Sequence, residues 1–300
     1  MKKILITGGT GLIGSRLTQL LRDKGYRVAH LVRSPEKSSV EVYRWNPREN
    51  FIEDGALEDV AAVVHLAGLD ISAKRWNQHV KDEILFSRVE TARLLRRWSE
   101  EHQFRIPVFV SASGISYYGT TNPVRPYEEQ DNPGRDFMAR VTVLWEQEAH
   151  AFTALDARVV TIRTGVVLAR DRGALKKLAL PVRLFVGAPL GSGQQVVNWI
   201  HLDDLCSLYL RAIDDESFQD AYNAVAPHPV TNEAFTNELA RVLKRPRWAP
   251  NVPAFLVRLI SGEVAYVVLE GGAVSAGRVI ESGFTFQYPT LSQALQAIYG

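Results

Sequence analysis

The feature that most constrains this chain lies at its amino end. Lys3-Ile4-Leu5-Ile6-Thr7 is followed by glycines at Gly8, Gly11 and Gly14, with Leu12, Ile13, Leu17, Leu20 and Leu21 at helical spacing. The apolar, β-branched run is long enough for one buried strand, and the stripe after it describes an amphipathic helix. Strand, glycine turn and helix in that order is the context in which such a triplet reads as a dinucleotide-binding fingerprint. The first glycine permits a tight turn, the second lets backbone amides approach a pyrophosphate, and the third allows close helix–strand packing. Phosphates then rest on the helix N-terminus, where free N–H groups and the dipole favour anions. The triplet alone also fits an ordinary strand-to-helix turn.

Gly25 reads as the stop of that first helix, and Arg27 to Val32 as a second strand. An NAD enzyme usually carries an acidic residue at the end of this strand for the ribose 2′-hydroxyl. Here the sequence is Leu31-Val32-Arg33-Ser34-Pro35. A guanidinium at Arg33 can pair bidentately with a 2′-phosphate, and no carboxylate repels it. The bland alternative is a solvated loop arginine; the preferred reading is NADP(H) over NAD(H). Val40 to Trp45 and Val60 to Ala67 are further strands, the latter ending in His65-Leu66-Ala67-Gly68. The missing side chain at a strand's Ala-Gly end lets a planar ligand lie against the backbone, while His65 reads as a core-edge residue rather than a base. Gln78 to Glu101 makes one long amphipathic helix (Val80, Ile84, Leu85, Val89, Ala92, Leu95). Strands and helices alternating at this spacing predict an α/β fold with a Rossmann-like, doubly wound parallel sheet.

Val108 to Val110 is the next strand and runs into Ser111-Ala112-Ser113-Gly114-Ile115-Ser116-Tyr117-Tyr118-Gly119. Hydroxyls at the carboxyl end of a sheet strand lie where such folds bind ligands, so Ser113 and Tyr117 are candidates to hydrogen-bond a substrate carbonyl or hydroxyl. A polar turn with tyrosine as a lid is the alternative. Asn122 to Gly134 reads as a surface loop, Asp136 opens a helix running to about Phe152, and Arg158 to Arg163 is a buried strand. Beyond Thr164 the alternation breaks down. Leu168 to Gln195, with Gly187, Gly191 and Gly193, reads as a substrate-covering excursion. Asp203 and Asp204 are placed to cap the helix after Trp199-Ile200-His201. His201 beside them does not make a metal set, and no metal is expected. Helices near Asn232–Leu243 and Ala254–Ser261, a strand-like piece from Gly283 to Tyr288 and a helix from Thr290 close the chain. This divides it into a dinucleotide-binding domain, 1–165, and a smaller α+β substrate-covering part, 166–300, with late sheet elements returning from 196–225.

Three hundred residues suffice for one large or two closely joined domains. A net charge of +2 with 23% charged residues gives no global drive toward nucleic acid or anionic membrane. One cysteine, Cys206, allows neither an internal disulfide nor a cysteine metal cluster and suits a reducing compartment. No apolar run reaches the roughly 18–20 residues of a membrane helix, and the first strand leaves no room for a signal peptide. The expectation is a cytoplasmic protein with a small-molecule substrate and neither nucleic acid nor membrane as partner.

The Gly8–Gly14 turn, Leu66-Ala67-Gly68, Ser111–Gly119 and Trp199-Ile200-His201-Leu202-Asp203-Asp204 together resemble the extended short-chain dehydrogenase/reductases. More closely, the chain resembles their branch of epimerase-family proteins, NAD-dependent epimerase/dehydratase-like with a C-terminal domain of their own. That branch is similar in Lys74-Arg75-Trp76-Asn77, Ser87-Arg88, Arg163-Thr164-Gly165-Val166-Val167-Leu168 and Gly191-Ser192-Gly193, and at the C-terminus in Pro253–Glu263 and Gly283–Leu291. The resemblance covers essentially the whole chain. It implies a Rossmann domain holding NADP(H), with Leu12 and Ile13 at the pyrophosphate turn, Arg33 at the 2′-phosphate and Leu66-Ala67-Gly68 on the adenosine side. It also implies Glu83, Arg88 and Val166 as cofactor neighbours; read from the residues alone, Glu83 and Arg88 are equally two solvated helix charges. By family analogy alone it allows a homodimer.

One departure stands out. Short-chain dehydrogenases use a Tyr-x-x-x-Lys pair, whose lysine lowers the tyrosine pKa for proton exchange as hydride moves. No tyrosine here has lysine four residues on. Counting back from Trp145-Glu146, which resembles the family's helix, the pair's places fall on Met138 and Thr142. Two readings stay open: an NADP(H)-dependent oxidoreductase or nucleotide-sugar epimerase with Ser113 and Tyr117 in altered roles, and a non-catalytic NADP(H) sensor or carrier.

Overall fold

The computed structural model describes residues 1–34, 38–121, 124–170 and 172–300. Its strands in chain order are β1 (Lys3–Thr7), β2 (Arg27–Val32), β3 (Glu41–Asn46), β4 (Phe51–Ile52), β5 (Val60–His65), β6 (Val108–Gly114), β7 (Arg158–Thr164), β8 (Val166–Leu168), β9 (Val196–Val197), β10 (Trp199–His201), β11 (Asp220–Ala224) and β12 (Val230–Thr231). Eight of them form one sheet in the order β11-β7-β6-β5-β1-β2-β3-β4. Its pairings are parallel except for β4, antiparallel on β3. The chain leaves β1 toward β2 and β3, then returns to place β5 on the other side of β1. This reversal opens a crevice at the carboxyl ends of β1 and β5, which are in register at Thr7 and His65.

Both faces of the sheet are covered, as a parallel sheet with nearly continuous apolar strands requires. Every residue of β1 is buried, and its side chains alternate between two cores. Ile4 and Ile6 pack with Leu17 and Leu21 of α1 (Leu12–Asp23). Leu5 packs on the opposite face with Val63, Phe109 and Phe152. Each such side chain contributes about 1.5–3 kcal/mol by leaving water. The helix α1 ends as its sequence predicts. Gly25 takes φ +84°, its N–H reaches Arg22 O at 2.9 Å, and Tyr26 N reaches Leu21 O at 3.0 Å, a Schellman closure.

The segment predicted as one helix is continuous but not uniform. It comprises α2 (Gln78–Leu85), a π-helical turn over Phe86–Glu90, and α3 (Thr91–Glu101). A π turn inserts one residue into the ladder and often marks a functional site. After β6 a 3₁₀ turn, Ile115–Tyr118, leads on to α4 (Phe137–His150). The loop expected over 122–134 begins at residues outside the described set.

The later chain contains α5 (Gly173–Arg183), α6 (Leu202–Asp214), α7 (Asn232–Val242), α8 (Ala254–Ser261), α9 (Ala265–Leu269), α10 (Gly277–Glu281) and α11 (Leu291–Tyr299). Helix α5 lies within the stretch read as a glycine-rich excursion. It packs Leu175, Ala179 and Val182 with Phe235 and Leu239 of α7 and with Leu295 and Ile298 of α11, around Trp199. Helix α6 turns back to the first core, placing Leu205, Cys206, Leu208 and Tyr209 among Ile4, Ile6, Leu17 and Leu21. Arg16 Nε and Asp203 Oδ1 tie α1 to α6 at 2.6 Å.

Two expectations are corrected here. Asp203 does not cap α6; the N-cap is His201, whose Nδ1 accepts from Asp203 N at 3.1 Å, leaving the Asp203 carboxylate to Arg16. Nor do residues 283–288 form a strand. The amides of Gln287 and Tyr288 donate to the buried Asp204 carboxylate at 2.7 and 3.0 Å, so a side chain takes donors a strand partner would need.

Candidate functional site

The fingerprint residues converge at the mouth of the crevice. Gly8 turns the chain at φ +68°, and Gly11 N donates back to Gly8 O at 3.0 Å. A Cβ on Gly14 would sit 2.4 Å from Gly8 O, so α1 can lie this close to the turn only with glycine there. Gly11 caps α1 with no side-chain bond, and the first turn carries no acidic residue. The amides of Leu12, Ile13 and Gly14 precede the first intrahelical donor, Ser15 N, and face outward for an anion. Gly9, not singled out in the sequence, is equally constrained: a Cβ there would lie 2.4 Å from the buried His30 ring.

The second wall comes from β5. Thr7 Oγ1 accepts from the amides of Leu66 and Ala67, each at 3.1 Å, and donates to His65 Nδ1 at 2.9 Å. His65 Nε2 lies 3.3 Å from the Arg88 carbonyl, which can only accept, so Nε2 carries the proton. Burial pushes this imidazole down to about 4. His65 is therefore a neutral strut that fixes Leu66-Ala67-Gly68 against the π turn, as its core-edge reading expects. The Arg88 guanidinium lies against Gly68, donates to Leu69 O at 2.9 Å, and faces the Trp145 ring. Burial lowers it to about 10, which leaves it charged at neutral pH. Glu83 is turned elsewhere, paired with Arg48 of the β3–β4 turn. Glu83 and Arg88 thus do not pair with each other.

Arg33 lies just past β2, which runs beside β1 with Leu31 opposite Thr7. It is exposed, and its side chain forms no hydrogen bond or ion pair with another described residue. From β2 to β6 is three strand spacings, about 14 Å, a span suited to an extended dinucleotide. Cradle, bare amides and exposed cation thus fit an adenine dinucleotide carrying a 2′-phosphate.

At the far end, β6 and β7 align Ser113 with Arg163. The buried Ser113 donates from Oγ to Glu146 Oε1 at 2.5 Å. Arg163, only 4% exposed, grips the same carboxylate through Nε and Nη2, both at 2.8 Å. Its Nη1 donates to Tyr118 Oη at 3.0 Å and to Glu129 O at 2.9 Å. Burial opposes the Arg163 charge, but Glu146 and Tyr118 outweigh it and raise the guanidinium above its ordinary value. Tyr118 donates its own hydrogen bond to Asn223 Oδ1 at 2.7 Å, and burial pushes its phenol up to about 12. The Tyr117 ring stacks on Arg163, 3.5 Å from Cζ to centroid, and its hydroxyl hydrogen-bonds no other described residue. Val166 opens β8 beyond Thr164, its N–H held by Asn198 O at 2.7 Å.

Met138 and Thr142, on which the count back from Trp145-Glu146 puts the absent pair, both lie buried on α4. Met138 is buried with Trp76, Val80, Ile84, Val141 and Val264, and Thr142 Oγ1 meets Ser116 Oγ at 2.9 Å. Glu146 follows Thr142 by one turn on the same helical face. The sequence marked Glu146 and Arg163 only as points of family resemblance and gave neither a role; the i, i+4, i+8 spacing from Met138 was the available signal for Glu146. Chemically, a serine hydroxyl that donates to a carboxylate keeps its lone pairs for a substrate hydroxyl, and the carboxylate behind it can take the proton.

Residues 4–225 match the model of the NAD dependent epimerase/dehydratase family, and residues 252–298 match a domain of unknown function (DUF1731). The chain is 38% identical over 306 residues to the chloroplastic homolog of epimerase family protein SDR39U1 from Arabidopsis thaliana, covering 98% of this chain and 86% of that one. It is 34% identical over 301 residues to the mouse epimerase family protein SDR39U1, covering 99% of each. The crystal structure of human SDR39U1 (isoform 2) with NADPH superimposes with a TM-score of 0.89 at 32% identity, covering 99% of both chains.

Proposed function

Because the chain belongs to the NAD dependent epimerase/dehydratase family, we propose that it binds NADP(H) in the crevice between β1 and β5 and works as an oxidoreductase or epimerase on a small hydroxyl-bearing substrate. The observation that carries the reading is the uncapped, acid-free α1 N-terminus behind the Gly8–Gly14 cradle, with the exposed Arg33 one strand away. The NADPH in the human relative's structure supports the phosphorylated cofactor. When bound, the nicotinamide supplies the hydride chemistry. Leu66-Ala67-Gly68 packs the adenosine side, Arg88 braces that wall, and Val166 borders the nicotinamide end. Ser113 accepts the proton of the substrate hydroxyl while handing its own to Glu146, whose carboxylate the Arg163 fork holds in position. Tyr117 offers the substrate a second hydroxyl. The lone cysteine suits a cytoplasmic location.

A second reading, an NADP(H) sensor or carrier without turnover, draws support from Met138, whose apolar cluster fills the place of the catalytic tyrosine. Thermal unfolding with NADPH, NADP⁺, NADH and NAD⁺ tests what both readings share. A ligand at 100 times its dissociation constant adds about 2.7 kcal/mol to the native state. Stabilisation by the phosphorylated pair supports the cofactor, and stabilisation by none of the four removes both readings. Turnover of a carbonyl or hydroxyl panel by the NADP(H)-bound chain then separates the enzyme from the sensor.

A further inference from the structure

Helix α5 belongs to the C-terminal core, yet it touches both walls of the crevice. A Cβ on Gly173, its first residue, would lie 3.0 Å from Leu12 Cδ2, so the helix starts against the fingerprint turn. Arg172, just before it, is exposed and donates from Nη1 to Ser15 Oγ at 3.3 Å. One turn further on, Lys177 Nζ donates to Ser72 O at 2.9 Å and Ser72 Oγ at 2.7 Å, and stands 3.6 Å from Asp70. Asp70 and Ser72 belong to the loop that continues from Leu66-Ala67-Gly68. The helix thus crosses from the β1 turn to the β5 loop and is fastened at each.

Charge balance gives this crossing a meaning. A diphosphate brings two negative charges to a turn where the α1 dipole offers only about half a positive one. Arg16, the cation nearest in sequence, is already matched by Asp203 at 2.6 Å. Arg33 lies beyond the neighbouring strand, where it suits the 2′-phosphate instead. Arg172 is a cation brought from the other half of the chain to Ser15, next to the bare amides, and a guanidinium's planar fork matches phosphate oxygens.

We propose that the cofactor site extends onto α5, with Arg172 as a ligand of the diphosphate and Lys177, through Asp70 and Ser72, as the latch that keeps α5 over the bound dinucleotide. This rests on the NADP(H) reading above. Both side chains are outside the hydrophobic clusters, so their replacement leaves the core intact.

The test uses the full chain and the fluorescence of the reduced nicotinamide, with melting curves as a check on folding. Arg172→Ala is expected to weaken NADPH and NADH by one common factor, about tenfold, the scale of a charge-assisted bond, and to flatten the salt dependence of Kd. Lys177→Ala is expected to speed NADPH release in stopped flow by about tenfold on the same scale. Loss of NADPH but not NADH in Arg172→Ala would move that residue to the 2′-phosphate and overturn its assignment. Unchanged affinity and release in both variants would overturn the proposal while the cofactor reading stands. A wild-type chain that binds neither nucleotide would remove both.

Discussion

Glu146 and Arg163 meet as a two-bond fork, Nε to Oε1 and Nη2 to Oε2, each at 2.8 Å, in a site where Arg163 is 4% exposed. Breaking such a pair from one side is costly because the other charge stays buried without a partner. Glu146→Gln is expected to lower stability by about 3–5 kcal/mol, whereas Ser113→Ala, which removes one hydroxyl donor, costs about 1–3 kcal/mol. Urea unfolding of the two variants measures the gap. A Glu146→Gln chain as stable as wild type would show that the fork carries no net structural weight.

The adjacent tyrosines should separate function from stability. Tyr117 lends its ring to Arg163 but leaves its hydroxyl unbonded among the described residues, while the Tyr118 hydroxyl joins Arg163 to Asn223. Tyr117→Phe is expected to leave stability within about 0.5 kcal/mol of wild type and to abolish turnover of any substrate found. Tyr118→Phe is expected to cost about 1–3 kcal/mol by stranding buried polar partners. An undiminished rate in Tyr117→Phe would leave Ser113 and Glu146 to move the proton alone.

Arg33 should discriminate between cofactors rather than merely attract them. Replacing the exposed guanidinium beside β2 with a carboxylate, Arg33→Asp, is expected to weaken NADPH about tenfold or more while sparing NADH. Equal losses for both would take the 2′-phosphate away from Arg33. Isothermal titration of the two nucleotides decides.

Acid should loosen the fold through its buried imidazoles. The native state holds His65 at about 4, below its ordinary 6.5, because burial penalises the charged ring. Between those values the unfolded chain binds a proton that native His65 refuses, so stability falls as pH drops from about 6.5 and levels off near 4. The full effect is about 3 kcal/mol. Burial lowers His30 and His201 too, adding in the same direction. In urea unfolding from pH 4 to 7, His65→Gln should flatten part of this slope; a slope unaltered by that change would exonerate His65.

What the sequence displayed was local order. The glycine spacing, the apolar run of β1, Gly25 as helix stop and Thr290 as the start of the last helix depend on neighbours within a turn, and the structure has them where the pattern puts them. The fork between Glu146 and Arg163 joins residues far apart in sequence, and Ser113 meets Glu146 only because β6 and α4 pack together. No periodicity encodes such a meeting. His201 took the cap from Asp203 because Arg16, on a distant helix, claimed the carboxylate. The π turn at Arg88 was invisible for a similar reason: the His65 ring, which meets the Arg88 carbonyl, comes from β5 and is supplied by packing rather than by helical spacing.

The return of α6 to cover β1 and α1 sets a delay on biosynthesis. On a ribosome adding ~5–20 residues per second, roughly ten to forty seconds separate the emergence of α1 from that of α6. Throughout that interval Ile4, Ile6, Leu17 and Leu21 lack the side chains of Leu205 and Tyr209 that complete their core. The nascent chain therefore presents one face of this strand to the cell before it can bury it. A chain cut between the two helices would keep that face exposed for good and become a client for chaperones and proteases, so the first strand of the protein is finished only once some two thirds of the chain is made.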